Sequence, residues 1–526
     1  MNDEIRAEDA TLLSRRRLLA TAGAAVVGAA SAQVPFARAR PLPQISGYPF
    51  TLGVASGEPL RHGVVLWTRL APTPLAGGGM PARSFPVKWE LAHDERFRRV
   101  VRRGEQDARS ELAHSVHVEL DGLEPGREYF YRFRAGGEMS PVGRTKTAPR
   151  RDVGSLRFAF ASCQQYEHGY YTAYGHMARE DLDLVVHLGD YIYEYGPNEY
   201  VAPGGNVRDH SGPEIVSLED YRNRHAQYRT DPDLQAAHHA FPWLVTFDDH
   251  EVENNWADEV PENGQPVEPF LRRRAAALRA YYEHMPLRRS ARPHGIDMAL
   301  YRRAAFGDLA TFHVLDTRQY RSDQACGDGT DIGCAERLDP ARTITGDAQE
   351  RWLLGGLARS RATWNVLAQQ VFMAQRDFEP GPAQRFSMDA WDGYAASRER
   401  LLSFIERRQV ANPVVLTGDV HNNWAADLKA DFDDPDSRTL GSEFVGTSIT
   451  SGGDGADTTP SGLQTLAQNP HITFFNGQRG YVRCRLDNEA WRSDYRVVPY
   501  VKVAGAPIAT RASFVVEAGS PGLQPG

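Results

Sequence analysis

The run Leu184-Val185-Val186-His187-Leu188-Gly189-Asp190-Tyr191-Ile192-Tyr193 passes from an apolar, β-branched segment into a glycine turn that presents a carboxylate and, three residues later, a phenol. Two further stretches have the same form: Val245-Thr246-Phe247-Asp248-Asp249-His250-Glu251 and Val414-Val415-Leu416-Thr417-Gly418-Asp419-Val420-His421. Short apolar runs bounded by turn residues read as strands buried on both faces. In sheets flanked by helices, reactive groups collect at the carboxyl ends of such strands. The three segments therefore read as one binuclear metal centre, an arrangement suited to phosphoester hydrolysis.

Outward from these segments, strands alternate with helices over residues 150–526. Leu156-Arg157-Phe158-Ala159-Phe160-Ala161 reads as a strand that ends in Ser162-Cys163-Gln164-Gln165. Helices are expected near residues 171–179, over 221–240 with a break at Pro232, and over 272–284. Asp347-Ala348-Gln349-Glu350 has the form of a capping box before a helix at 351–359, and Trp364-Asn365-Val366-Leu367-Ala368 follows as a strand. Residues 47–149 are all β in pattern, with short alternating runs between turns. Gly122-Leu123-Glu124-Pro125-Gly126-Arg127-Glu128-Tyr129 resembles the turn and tyrosine-bearing strand of fibronectin type III-like sandwiches. The expected fold class is thus α/β, a β-sandwich core flanked by helices, with an N-terminal fibronectin- or immunoglobulin-like sandwich domain at 47–149 and a catalytic domain at 150–526.

At the amino terminus, Ser14-Arg15-Arg16-Arg17-Leu18-Leu19 precedes a weakly apolar stretch, and Ala37-Arg38-Ala39 offers small residues for cleavage. Residues 1–39 read as a twin-arginine signal peptide, which calls for the twin-arginine translocase as export partner and a periplasmic or secreted protein. That pathway moves folded chains, which suits a cofactor inserted before export. No later segment reaches the about 20 apolar residues of a membrane span. A net charge of −8, with no basic patch interleaved with aromatics, argues against a nucleic-acid surface. Cys326 and Cys334 bracket a short loop in a chain bound for an oxidising compartment and are expected to pair. Closing so short a loop stabilises by about 2–3 kcal/mol in the chain-entropy view.

Each candidate ligand has a chemical reason. The Asp190 carboxylate can bridge two ions, whereas Tyr193, with a phenol pKa of about 10, binds only a strongly Lewis-acidic ion such as ferric iron. Asp249-His250-Glu251 stands where binuclear phosphoesterases carry Gly-Asn-His-Glu, with Asp249 in the place of the metal-binding amide. His250 then faces the phosphate, while Asp248 and Glu251 orient it and hold the loop. In Gly418-Asp419-Val420-His421, alternation along an extended segment would point Asp419 and His421 the same way, one ligand for each ion. Asp190, Asp249 and Asp419 make an oxygen-rich site that favours calcium, magnesium or manganese over zinc. Cys163 is either a packed core thiol or a thiolate ligand to iron, and Cys484 reads as packed.

Taken together, Phe160-Ala161-Ser162-Cys163-Gln164, His187-Leu188-Gly189-Asp190-Tyr191-Ile192-Tyr193-Glu194, Asp248-Asp249-His250-Glu251-Val252-Glu253-Asn254-Asn255 and Leu416-Thr417-Gly418-Asp419-Val420-His421 resemble the PhoD family of alkaline phosphatases and phosphodiesterases. The resemblance spans nearly the whole chain. It implies a core similar to purple acid phosphatases, with ferric iron held by Cys163, Asp190, Tyr193 and His421. Calcium, one ion or more, would lie at Asp190, Asp249 and Asp419, with manganese as the alternative there. The implied activity is hydrolysis of phosphate esters by in-line attack of a metal-bridging hydroxide; a phosphodiesterase of the same fold, phospholipase D-like activity included, is the rival. Arg229 is either a phosphate clamp, acting with His250, or a helix salt bridge to Asp231 or Glu219. Asn254, Asn255 and the turn Trp391-Asp392-Gly393-Tyr394 either line the substrate approach or order their loops.

Overall fold

Leu156–Ala161, Leu184–His187 and Pro242–Val245 are buried along nearly their whole length and pair in parallel, Leu184 opposite Phe158 and Val185 opposite Trp243. The computed structural model that defines this pairing describes residues 45–526 apart from residue 152, so the expected signal peptide lies outside the described residues. The three strands sit inside a 10-stranded sheet ordered Ser520–Pro525, Ala509–Glu517, Ala490–Val498, Arg479–Leu486, Leu156–Ala161, Leu184–His187, Pro242–Val245, Val54–Leu60, Gly63–Arg69, Ser115–Leu120. A second, 7-stranded sheet runs Arg302–Phe306, Ala310–Val314, Trp364–Ala368, Pro413–Thr417, Thr439–Val445, Asn423–Lys429, Ile472–Asn476. Its four consecutive strands from Ala310–Val314 to Thr439–Val445 are parallel.

Alternation across each strand divides the side chains between two cores. Phe158, Phe160, Leu184, Val186 and Leu244 meet Phe312, Val366, Val414, Leu416 and Phe444 between the sheets. On the outer face of the first sheet, Ala159, Val185, Trp243 and Val245 pack against Tyr221, Tyr228, Leu234, Leu278 and Tyr281. Those residues belong to the helices Leu218–Arg229, Pro232–Ala240 and Val267–His284. The helices Gly346–Arg359 and Ala395–Arg408 cover the second sheet through Leu353, Leu357, Leu401 and Ile405. The result is the expected β-sandwich flanked by helices. A parallel bridge between Ser162 and Ser448 joins the two sheets at their carboxyl ends, so the loops that leave those ends share one rim.

The break expected at Pro232 within 221–240 is present: Leu218–Arg229 ends before it, and Asp231 caps Pro232–Ala240 with its carboxylate. Ser217 and Asp220 form a reciprocal capping box at the start of Leu218–Arg229. The capping box expected at Asp347–Glu350 does not form. The helix starts earlier, at Gly346, where the Thr343 hydroxyl accepts the Thr345 and Gly346 N–H groups, and the Gln349 side chain reaches the backbone of Asp316 instead.

In the amino-terminal part, Phe85–Ala92, Val100–Ala108, Glu128–Ala135, Glu138–Met139 and Gly143–Lys146 form a separate 5-stranded sheet. Its Phe85, Val87, Leu91, Tyr131 and Phe133 pack on Val54, Val64, Leu66, Val116 and Val118. Tyr129 accepts the Glu124 N–H through its hydroxyl at 3.0 Å, a tyrosine corner of the kind expected. The partner layer of this sandwich is also the end of the large sheet, because Val54–Leu60 pairs in parallel with Pro242–Val245. Gly57 permits that junction: a Cβ there would lie 2.7 Å from the carbonyl oxygens of both Trp243 and Pro286. The 47–149 segment therefore has its own core but shares hydrogen-bonded sheet with the rest.

Between the first sheet and its helices lies a group of neutral histidines. His225 stacks on His284 at 5.0 Å, His238 stacks on Trp243 at 3.8 Å, and neither ring nitrogen of His225 has a hydrogen-bond partner among the described residues. Burial lowers the His225 pKa to about 3, with Arg229, Arg69 and Arg224 adding to the effect. In the unfolded chain the same imidazole titrates at about 6.5, so below that pH the unfolded state takes up a proton that the folded state refuses, and stability falls. Replacing His225 by leucine removes this term. Denaturation at pH 7 and pH 5 is expected to move in favour of His225→Leu on acidification, by about 2 kcal/mol relative to wild type. An unchanged difference between the two proteins across that range would contradict it.

Candidate metal centre

Cys163, Asp190 and Asp249 follow the first sheet's parallel strands, and Asp419 and His421 follow Pro413–Thr417 in the second. Cys163, Asp190, Asp419 and His421 all adopt positive φ, between 56° and 64°. Left-handed backbone at non-glycine residues costs free energy and gathers at functional sites. Two glycines make room for the turns: Gly189 has φ 117°, and a Cβ on it would stand 2.4 Å from the Asp248 nitrogen, while a Cβ on Gly418 would stand 2.6 Å from Ser162 Oγ. Hydrogen bonds then lock the loops together. The Cys163 and Gln164 N–H groups donate to the Gly189 and Asp190 carbonyls, and the Ile449 N–H donates to Ser162 and Cys163.

The sequence-level candidates converge in two overlapping groups. Ligand atoms of Cys163, Asp190 and His421 lie within 4.8 Å of one another, and so do those of Asp190, Asp249 and His250. Asp190 belongs to both. The Tyr193 hydroxyl completes the first group, donating to Asp190 Oδ2 at 2.8 Å and lying 3.2 Å from His421 Nε2, while Ser451 Oγ donates to it at 2.7 Å. Asp419 stands on the other side, 3.8 Å from Arg318 Nη2, as does Asp249 Oδ1. The extended alternation expected at 419–421 is absent: both residues are left-handed, and the Val420 N–H turns back to the Gly418 carbonyl. A tight turn, not a strand, presents the two side chains: His421 falls in the first group, while Asp419 falls in neither and stands beside Arg318.

The electrostatics are those of several carboxylates buried side by side. Burial raises the Asp190 carboxyl well above the usual range, and Asp249, Glu251 and Asp419 push the same way against His250. Burial, with Asp389, lifts Asp419 to about 7. The Cys163 thiol and the Tyr193 phenol are pushed up first by burial and then by Asp190. Asp249 differs: burial opposes its ionisation, but Arg318, His250 and the Asn255 N–H outweigh that and hold it below the ordinary carboxylate value. Burial, aided by Arg479, lowers His421 to about 3, leaving a neutral imidazole with a free lone pair. Asp190 Oδ1 and Asp249 Oδ1 are buried without a hydrogen-bond partner among the described residues. Orphaned carboxylate oxygens beside a thiol, a phenol and a neutral imidazole fit metal ions, whose charge would reverse each upward shift.

Some roles differ from those expected. Glu194, not Asp248 or Glu251, orients His250: its Oε2 pairs with His250 Nδ1 at 2.8 Å, its Oε1 accepts the Asn254 N–H, and Tyr193 stacks on the ring at 4.2 Å. Glu251 has the loop-holding part of its expected role: it accepts the N–H groups of Asp190, Tyr191 and Asp248 at 2.7–3.0 Å, pinning two loops. Asp248 binds Arg318 Nε at 2.6 Å. Arg229 does not reach the site. It is fully buried, its guanidinium lies 4.4 Å from the Trp67 ring, and Nη1 donates to Tyr191 Oη at 3.3 Å, so it braces the amino-terminal strands and pairs with neither Asp231 nor Glu219. Its neighbour Tyr228 does serve the site, since its hydroxyl accepts the Tyr193 N–H.

The side-chain amides of Asn254 and Asn255 donate to Glu262 and Asp328 at 2.8 Å, which ties loops together. Trp391 and Tyr394 are buried and bonded to Gln369 and Ser322. Cys326 and Cys334 are joined in a disulfide, and Cys484 is packed between the sheets. Three arginines went unread in the sequence. Arg318 is wholly buried and also grips both oxygens of Asp389 at 2.7 and 3.0 Å. Arg479 donates from Nε to Gly453 and from Nη1 to the His421 carbonyl. Arg376 stacks on Phe372 and Phe378, its Nε unpartnered among the described residues. Only Arg318 had a signal, the polar run Asp316-Thr317-Arg318 directly after an apolar strand.

Comparison with known proteins gives consistent results. Residues 158–495 match the family described as PhoD-like phosphatase, and residues 37–149 match its N-terminal domain. The chain is 61% identical over 484 residues to alkaline phosphatase D of Bacillus subtilis (strain 168), covering 92% of this chain and 83% of that protein. A solved structure described as that of PhoD superposes with a TM-score of 0.91 at 61% identity, over 92% of this chain and 93% of the other. A purple acid phosphatase from yellow lupin seeds shares the fold, with a TM-score of 0.53 at 12% identity over 88% and 74% of the two chains.

Proposed function

Because this chain belongs to the PhoD-like phosphatases and is a phosphoric ester hydrolase, we propose that it is exported folded through the twin-arginine pathway and cleaves phosphate esters at the Asp190 rim. Ferric iron at Cys163, Asp190, Tyr193 and His421, and calcium at Asp190, Asp249 and Asp419, are the cofactors this reading assigns. The observation that carries it is the membership of Asp190 in both ligand groups, with one of its oxygens orphaned. When bound, the cations lower the pKa of the attacking water and offset the charge of the ester.

The chain's own residues supply orientation and proton transfer. Burial works against a charged His250, but Glu194, Asp249 and Asp190 together raise its pKa well above the ordinary value. Glu194, paired with Nδ1 at 2.8 Å, fixes the ring and favours its protonated form, so that Nε2 can donate to the departing oxygen. Arg479 and Arg376, in the role first considered for Arg229, offer positive charge to the non-bridging phosphate oxygens. Water enters opposite the leaving group, so phosphorus inverts and no residue is phosphorylated.

Tyr193 provides the test. A phenolate on ferric iron absorbs visible light by charge transfer, so the holoenzyme is expected to be coloured and Tyr193→Phe to lose the band with the fold retained. A colourless, fully active enzyme without iron would refute the assignment.

A further inference from the structure

The disulfide loop lies against the metal centre. Asn255, with φ 49°, gives its backbone N–H to Asp249 Oδ2 at 2.8 Å and its side-chain amide to Asp328 Oδ2 at 2.8 Å. Asp328 is inside the ring closed by Cys326 and Cys334 and is itself left-handed, with φ 71°. Gln324, just before the ring, donates to the Asn255 carbonyl at 2.6 Å and to Asp389 Oδ1 at 2.9 Å. The far side of the loop, Thr330–Ile332, pairs with Arg385–Ser387, and the Met388 N–H donates to Gly329. Asp389, the next residue, holds Arg318, which faces Asp249 and Asp419.

The structure assigns Asp328 as a positioning residue that, presented by the disulfide-closed loop, holds Asn255 so that its N–H fixes the Asp249 carboxylate. This rests on the reading of Asp249 as a metal ligand. Asn255 is in left-handed backbone, and Asp328 restrains its side chain from outside through a charge-assisted hydrogen bond. The disulfide closes the base of the loop two residues from Asp328, and the pairing of Thr330–Ile332 with Arg385–Ser387 holds its far side.

Amide hydrogen exchange of residues 249–257 in the holoenzyme tests the proposal. Asp328→Ala keeps the disulfide and is expected to speed exchange there by about tenfold and to raise calcium loss to a chelator by about 10–100-fold. Asp328→Asn, whose amide oxygen still accepts from Asn255, is expected to restore both. Wild-type protein reduced with a phosphine should behave like Asp328→Ala. Unchanged exchange in Asp328→Ala, Asp328→Asn as fast as Asp328→Ala, or a reduced protein with wild-type exchange would each overturn it. The metal content of the wild-type sample separates the two readings: protein without bound cations refutes the metal assignment, while the exchange comparison judges the hydrogen bond on its own.

Discussion

Asp190→Ala is expected to lose both cations and to reduce turnover by at least about 10³-fold, the loss of charge stabilisation worth several kcal/mol. No other candidate ligand belongs to both groups, so no other single substitution is expected to empty both sites. Asp419→Ala, on the Arg318 side, should lose calcium and retain iron. Asp190→Asn keeps the shape and the acceptance of the Tyr193 hydroxyl but removes the charge, and should resemble alanine in metal content. Measuring iron and calcium by elemental analysis alongside monoester turnover checks all three. Retention of either ion in Asp190→Ala would show that the carboxylate does not bridge.

His250→Ala is expected to keep most of its iron and calcium and to lose about 10²–10⁴-fold in turnover. The loss should be smaller for a nitrophenyl ester, whose leaving group needs little protonation, than for an alkyl ester. Glu194→Gln should give part of the same defect, because an amide still contacts Nδ1 but no longer stabilises the imidazolium that Glu194 now faces at 2.8 Å. Equal losses on both esters would make His250 a phosphate-positioning group. Complete loss of metal would make it a ligand, as its place in the second group allows.

The strands that carry Cys163, Asp190, Asp249 and Asp419 were legible because they are parallel and buried on both faces, so their apolar runs stand out without any knowledge of partners. The ligand types were legible for the same local reason, since each follows its strand within a few residues. What was not legible depends on contacts distant in sequence. Glu194 reaches His250 across 56 residues, and Arg318 reaches Asp389 across 71. Arg229 looked available because an arginine at a helix end usually points outward. Trp67, brought in by the amino-terminal strands, turns that face into an interior. The junction at Gly57 was hidden similarly: each segment alone has the pattern of its own domain, and only the register of Ser56 with Pro242 shows one sheet running through both.

Anomalous X-ray scattering from crystals of the exported holoenzyme, recorded on both sides of the iron edge, bears most directly on the metal centre. The account predicts two peaks that share Asp190. One, beside Cys163, Tyr193 and His421, should strengthen above the iron edge; the other, beside Asp249 and Asp419, should not respond to it. A single peak, or an edge response only at the Asp249 and Asp419 side, would contradict the account.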